Sequence, residues 1–302
     1  MELNNMIKKC GTVALIGAPN AGKSTLTNLL VGAKVSIVTH KVQTTRTRIM
    51  GIVMVDNTQI VLVDTPGIFK AKKRLDRAMV SAAWSGTDGA DIVCLLVDAT
   101  HPDKKDTQII IEALRREGKK CVLLLNKVDL VRREKLLETS SKLWEEGIFS
   151  DVFMISALKD NGIEAFKEFL VSKAPEQEYI FDSDNLSDMP NRMLAAEVTR
   201  EKLFLNVHEE LPYSLTVETE GWEDFKNGDI KISQIIYVEK ESQRAIILGD
   251  KGERIKRIGR DARIDLGDIF DTKVHLFLHI KVKENWQNDA ERYIGMGLEF
   301  SN

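Results

Sequence analysis

Residues Gly17 to Ser24 read Gly-Ala-Pro-Asn-Ala-Gly-Lys-Ser and follow directly on four apolar residues, Val13 to Ile16. An apolar run feeding the spacing G-x-x-x-x-G-K-S predicts a buried strand, a glycine-rich turn and then a helix, here over Thr25 to Val31. Such a turn offers successive backbone N–H groups to phosphate, and the helix behind it aims the positive end of its dipole at the same charge. Lys23 is placed to reach terminal phosphates and Ser24 to hold magnesium, while Gly17, Ala18, Pro19, Asn20, Ala21, Gly22 and Thr25 complete the cradle. A chance match is the bland alternative, and a strand before and a helical run after argue against it.

The base is addressed further on, at Asn126-Lys127-Val128-Asp129, which follows the apolar run Cys121 to Leu125. The Asp129 carboxylate can accept hydrogen bonds from the ring N–H and exocyclic amine of guanine, which adenine does not offer in that arrangement. A polar group left unpaired by the wrong base costs roughly 1–3 kcal/mol, enough to discriminate. Alone, Asn-Lys-x-Asp is a common turn composition; in order behind the glycine-rich turn it is a specific signal. Ser156-Ala157-Leu158 follows the short run Val152 to Ile155 and would buttress the guanine ring.

Between these motifs, Asp64-Thr65-Pro66-Gly67 closes a run from Gln59 to Val63. Asp64 can hold magnesium through a water, and the N–H of Gly67 can bond the terminal phosphate, with glycine allowing the close approach. A plain strand-to-turn exit is the alternative for these four residues taken alone. Upstream, Gln43-Thr44-Thr45-Arg46 lies in a polar stretch, and Thr45, favoured over Thr44, would complete the magnesium shell. The catalytic set is therefore Lys23, Thr45, Asp64 and Gly67. After Gly67 stands Ile68, an apolar residue that cannot orient an attacking water, so slow hydrolysis is expected.

In the second half, Gly249-x-x-Gly252 permits a tight turn whose backbone can approach a sugar-phosphate chain. The expectation is an apolar strand before it and, from near Lys251, a basic amphipathic helix after it. Gly249, Asp250, Lys251, Gly252, Arg254, Ile255, Lys256 and Arg257 form the candidate RNA contact, with Arg260 and Arg263 adding charge and Ile255, Ile258 and Leu266 forming the helix's apolar side. The net charge of -3 excludes a protein that coats nucleic acid by bulk electrostatics, so recognition must be local, and Asp250 sits unhelpfully beside phosphate.

Taken in order, the five motifs of the first half resemble a Ras-like P-loop GTPase, and Gly-x-Pro-Asn-x-Gly-Lys-Ser is similar to the branch containing TrmE and Era. Leu211-Pro-Tyr-Ser-Leu-Thr-Val-Glu218 resembles the opening strand of the RNA-binding domain of the Era family, and residues 247–259 resemble a KH core. The likeness covers nearly the whole chain, with one copy of each domain. It implies GTP and GDP as ligands, hydrolysis of GTP with magnesium, and binding to small-subunit ribosomal RNA near its 3′ end during 30S assembly. It also implies loose association with the inner membrane from the cytoplasmic side, and the chain is expected to be a monomer. Some members of the branch hold potassium through the P-loop asparagine, here Asn20; turn geometry after Pro19 explains that residue equally well. Two competing readings are a nucleotide-gated RNA scaffold with incidental hydrolysis, and a GTPase whose KH-like domain docks a protein.

The fold expected is α/β. A P-loop GTPase domain over residues 1–176, with a mostly parallel sheet and helices on both faces, is followed by a linker over 177–190 and a smaller α/β type II KH domain over 191–302. At 302 residues and 43% apolar content, two modest cores can be buried. No run approaches the roughly twenty apolar residues that span a bilayer, and Met1 to Cys10 is too short and polar for a signal peptide. Cys10, Cys94 and Cys121 lack metal-ligand spacing, which suits a reducing cytosol. His275 and His279 share one face of an expected strand and are read as structural. Most of Trp84, Trp144, Trp222 and Trp286 are expected in packing rather than on RNA.

Overall fold

The apolar run ahead of the glycine-rich turn is an interior strand, β1 (Lys9–Gly17), of a six-stranded sheet in the computed structural model, which describes residues 7–208 and 211–300. The first six residues of the Met1 to Cys10 opening lie outside the described residues. The other strands are β2 (Ile49–Val55), β3 (Thr58–Asp64), β4 (Ile92–Asp98), β5 (Cys121–Asn126) and β6 (Phe149–Ile155), in the order β2-β3-β1-β4-β5-β6. Only β2 runs antiparallel, paired with β3 through the tight turn at Asp56 and Asn57. Parallel strands connected by helices are covered on both faces, so their side chains are apolar without alternation. Along β1, Val13 and Leu15 enter one core with helices α1 (Lys23–Val31) and α5 (Ile163–Lys173). Ala14 and Ile16 enter the opposite core, against helices α2 (Arg74–Ser85), α3 (Lys105–Arg116) and α4 (Arg133–Trp144).

One sequence expectation fails at α2. The sequence reads as a mobile stretch around Lys70 to Arg77, between the β2–β3 pair and β4. The helix nevertheless begins at Arg74, since Asp76 reaches back to accept from the N–H groups of Lys72 and Lys73, both at 3.0 Å. A carboxylate in the first turn thus satisfies the donors that an N-cap residue would.

The chain divides into two compact units. One comprises the residues up to Ser36 together with Thr45–Asp188; the other comprises Ile37–Thr44 together with Met189 onward. Much of the stretch expected to be a linker is hydrogen-bonded along the first unit. Leu186 accepts from Ile52 N–H at 2.9 Å, and Asp188 both donates to Met50 O and accepts from Met50 N–H. These contacts cover part of edge strand β2, whose backbone groups would otherwise be open to foreign strands. Gln59, fully buried, fastens the same stretch: its Oε1 accepts from the N–H groups of Ile180 (2.9 Å) and Phe181 (3.0 Å), and its Nε2 donates to Phe181 O at 2.8 Å.

The second unit contains a three-stranded sheet ordered β7 (Leu215–Asp224), β8 (Ile230–Val238), β9 (Val274–Val282), with β8 and β9 parallel. Helices α6 (Asn191–Asn206), α7 (Glu241–Leu248) and α8 (Glu253–Phe270) supply Leu203, Phe204, Ile247, Ile258 and Leu266 to its cores. The apolar residues before Gly249 belong to α7, not to the strand the sequence suggested. A four-residue apolar run does not distinguish the two, and the helix starts where the Gln243 side chain accepts from the N–H groups of Glu239 and Lys240. Segment Ile37–Thr44 is held on α6: Glu201 accepts from Val38 N–H at 2.8 Å, Arg200 donates to Thr44 O, and Lys41 donates to Val207 O. Arg200 is itself buried, gripped by Glu197 and lying over the Phe204 ring. Trp286 is fully buried and donates to Ser214 O, whereas Trp144 is half exposed.

Replacing Gln59 by Leu removes its hydrogen bonds to Ile180 and Phe181, each worth about 0.5–1.5 kcal/mol net. Amide hydrogen exchange at Ile180 and Phe181 should accelerate by one to two orders of magnitude while that of β4 and β5 stays slow.

Candidate nucleotide and RNA sites

Five parallel strands of the first unit deliver their loops to one edge of the sheet, as open α/β sheets do at the carboxyl ends of strands. After β1 the backbone turns through left-handed conformations at Asn20 (φ 64°) and Gly22 (φ 103°). A Cβ at Gly22 would lie 2.2 Å from the Asn126 Nδ2, so a carboxamide fills the space where any side chain would stand. Lys23, 6% exposed, folds over the turn and donates to Gly17 O (3.1 Å) and Ala18 O (3.3 Å). Burial depresses its pKa to about 8, against the pull of the nearby Asp64 carboxylate.

Asp64 closes β3 and is fully buried. Desolvation raises its pKa, opposed by Lys23 and by the hydroxyls of Ser24 and Ser36. Its Oδ2 accepts from Ser36 Oγ at 2.8 Å, and its Oδ1 is buried without a protein partner. Nearby, the Ser24 and Thr45 hydroxyls lie 2.8 Å apart. An unpartnered carboxylate oxygen with two hydroxyls is a hard, all-oxygen donor set that fits magnesium. Among the described residues, no cluster of three or more His, Cys, Asp or Glu forms a different metal site. Thr65 spends its hydroxyl on Leu15 O at 2.7 Å, and Ile68 N–H bonds Gly17 O at 3.1 Å, so the Asp64–Gly67 turn is seated on the first loop. A Cβ on Gly67 would meet Pro19 backbone atoms at 2.9 Å. Ile68 is 1% exposed and part of the core, so the position after Gly67 offers no group to orient water.

At the base end, Asn126 is a staple: its Nδ2 donates to Ala21 O at 2.8 Å and its Oδ1 accepts from Ala157 N–H at 3.0 Å. Lys127 adopts a left-handed conformation and bonds Asp98 Oδ2 at 2.7 Å. Burial works against the Asp98 charge, but hydrogen bonds from Lys127 and Thr100 outweigh it and hold the carboxyl below the usual range. Asp129 is exposed on the turn that follows, free of the sheet core. After β6, Ser156 and Ala157 are buried and Leu158 is 78% exposed. Sequence reading missed Asp98, Ser36 and Asn28. Asp98 had a usable signal, since it ends an apolar strand just as Asp64 does.

In the second unit the turn between α7 and α8 has three left-handed residues, Gly249 (φ 70°), Lys251 (φ 47°) and Gly252 (φ 78°). A Cβ on Gly249 would come within 2.7 Å of Arg254 Cβ. Asp250, Lys251, Lys256 and Arg257 are exposed, while Arg254 turns back to donate to Ile246 O and Ile255 packs against the core. The cationic face therefore consists of Lys251, Lys256 and Arg257 more than of Arg254. His275 bonds Asp229 at 2.8 Å, a structural contact.

Comparison with known proteins agrees with this geometry. The family described as 50S ribosome-binding GTPase matches residues 12–127, and the KH domain family matches residues 210–287. The chain is 54% identical over 290 residues to the GTPase Era of Mesorhizobium japonicum, covering 96% of this chain and 94% of that one. It is 52% identical over 299 residues to the GTPase Era of Agrobacterium fabrum, covering 99% and 94%. Among solved structures, Era in complex with MgGDPNP and nucleotides 1506–1542 of 16S ribosomal RNA is similar, with a TM-score of 0.91 at 33% identity over 98% of this chain and 100% of that one. A variant of Aquifex aeolicus Era bound to GDP.AlF4- gives 0.90 at 33% identity over 97% and 100%. With the P-loop, the guanine motif and the KH turn all in place, this chain belongs to the GTPase Era family.

Proposed function

We propose that this chain is a GTP-hydrolysing switch that binds small-subunit ribosomal RNA near its 3′ end in the GTP state and acts in 30S subunit assembly. The observation that carries the reading is its full-length likeness to an Era that holds a GTP analogue and 16S ribosomal RNA together. The Gly249–Gly252 turn, with Asp250 and Lys251 exposed, supports it, as does the cationic start of α8 at Lys256 and Arg257.

In this reading Asp129 accepts from guanine, Ser156, Ala157 and Leu158 back the ring, and the loop from Gly17 to Thr25 wraps the phosphates. Lys23 and the N–H of Gly67 face the terminal phosphate. Ser24, Thr45 and Asp64 hold magnesium, which when bound neutralises charge on the phosphate oxygens. Water attacks the terminal phosphorus, its bond to the bridging oxygen breaks, and GDP and phosphate result. With Ile68 buried, no side chain at that position orients the water, so turnover is slow. Potassium at Asn20 would stabilise charge developing on the phosphates. Cytoplasmic location, peripheral contact with the inner membrane and a monomeric state complete the reading; among the described residues no helix is long and apolar enough to cross a membrane.

Titrating an RNA matching the 3′ tail of small-subunit ribosomal RNA, against a scrambled control, should show tight binding only with a non-hydrolysable GTP analogue. Equal weak binding of both RNAs in both nucleotide states would overturn the RNA reading and favour a protein partner. In the same assay, Lys251→Asp with Gly252→Asp should abolish RNA binding and leave GTP affinity unchanged. Asp129→Asn should weaken GDP binding by about tenfold to a hundredfold, the cost of unpairing the base. Hydrolysis should run several-fold faster in potassium than in sodium, and equal rates would remove the Asn20 site.

A further inference from the structure

Ser36 touches the magnesium-site carboxylate although it belongs to none of the recognised motifs. It is 1% exposed and donates its hydroxyl to Asp64 Oδ2 at 2.8 Å. The two oxygens of Asp64 are thereby differentiated: Oδ2 is occupied by a protein donor, and Oδ1 is buried with none. Ser36 is itself held on both sides of its peptide unit. Asn28 Oδ1 accepts from the N–H groups of Val35 (3.0 Å) and Ser36 (2.9 Å), and Asn28 Nδ2 donates to Ser36 O at 2.7 Å. Asn28 stands four residues after Ser24 on α1, on the same side of the helix. One helix therefore presents the Ser24 hydroxyl and anchors the residue that contacts Asp64.

We propose that Ser36 is a positioning residue for magnesium, acting through Asp64 and anchored by Asn28. The proposal rests on the reading of Asp64 as the magnesium-holding carboxylate. A carboxylate on a short side chain can rotate about its terminal bond, and here Lys23 attracts it from one side. A neutral hydroxyl on Oδ2 stops that rotation without cancelling the charge, so Oδ1 stays turned to the ion. Partners of this kind, one shell out from a metal, typically change metal affinity by about 10–100-fold when removed.

The test uses the full chain loaded with a fluorescent GDP analogue, following nucleotide release while magnesium is titrated. Ser36→Ala should raise the magnesium concentration for half-maximal slowing of release by about 10–100-fold and leave the release rate in chelator unchanged. Ser36→Thr, which keeps the hydroxyl, should titrate like the parent chain. Asp64→Asn should remove most of the magnesium response, and adding Ser36→Ala to it should change nothing further, because the two act in one path. A parent-like midpoint for Ser36→Ala, or full additivity with Asp64→Asn, would overturn the role of Ser36. A magnesium response that survives Asp64→Asn would instead refute the reading of Asp64 on which the proposal stands. If thermal unfolding shows that Ser36→Ala is not folded, Ser36→Cys, similar in size and a weak donor, carries the same comparison.

Discussion

The nucleotide-site geometry of this chain depends on one buried carboxamide. Asn126 joins the loop after β1, through Ala21, to the loop after β6, through Ala157, from its own place at the end of β5. A buried amide with partners on two loops fixes both, because releasing either leaves a polar group unpaired at a cost of about 1–3 kcal/mol. It also explains Gly22, whose missing side chain is the space the carboxamide occupies. The residue that reads as part of a guanine motif thus ties down the loop after β1, while Asp129 beside it is exposed.

In the second unit the proposed RNA turn is distinguished by its backbone as well as by its charge. A chain of net charge -3 has no general attraction for nucleic acid. Positive φ at Gly249, Lys251 and Gly252 shapes a tight turn ahead of α8. Arg254, counted among the cations from sequence, directs one guanidinium donor back to Ile246 O at the end of the preceding helix.

Both halves were legible in sequence because their motifs are local. Glycines at Gly17, Gly22 and Gly249 stand where close approach or positive φ requires them, and such requirements leave a mark within a few residues. The alternation of Val13 and Leu15 against Ala14 and Ile16 likewise follows from strand geometry alone. Asp98 left a signal at the end of its strand, but its pairing with Lys127, like that of Ser36 with Asp64, was not legible, since each pair lies about thirty residues apart and meets only through the fold. The start of α2 was missed for a different reason: Asp76 does from inside the helix what a cap residue does from outside.

The assignment of Ile37–Thr44 to the second unit has a topological consequence. The polypeptide passes from one unit to the other three times, after Ser36, after Thr44 and after Asp188, instead of once. The domains are consequently not beads on a string: a fragment beginning at Met189 would carry Arg200 and Glu201 without the segment they bind. Exchanging the C-terminal half for a relative's would have to preserve the match with Ile37–Thr44, eight residues placed far upstream in the sequence.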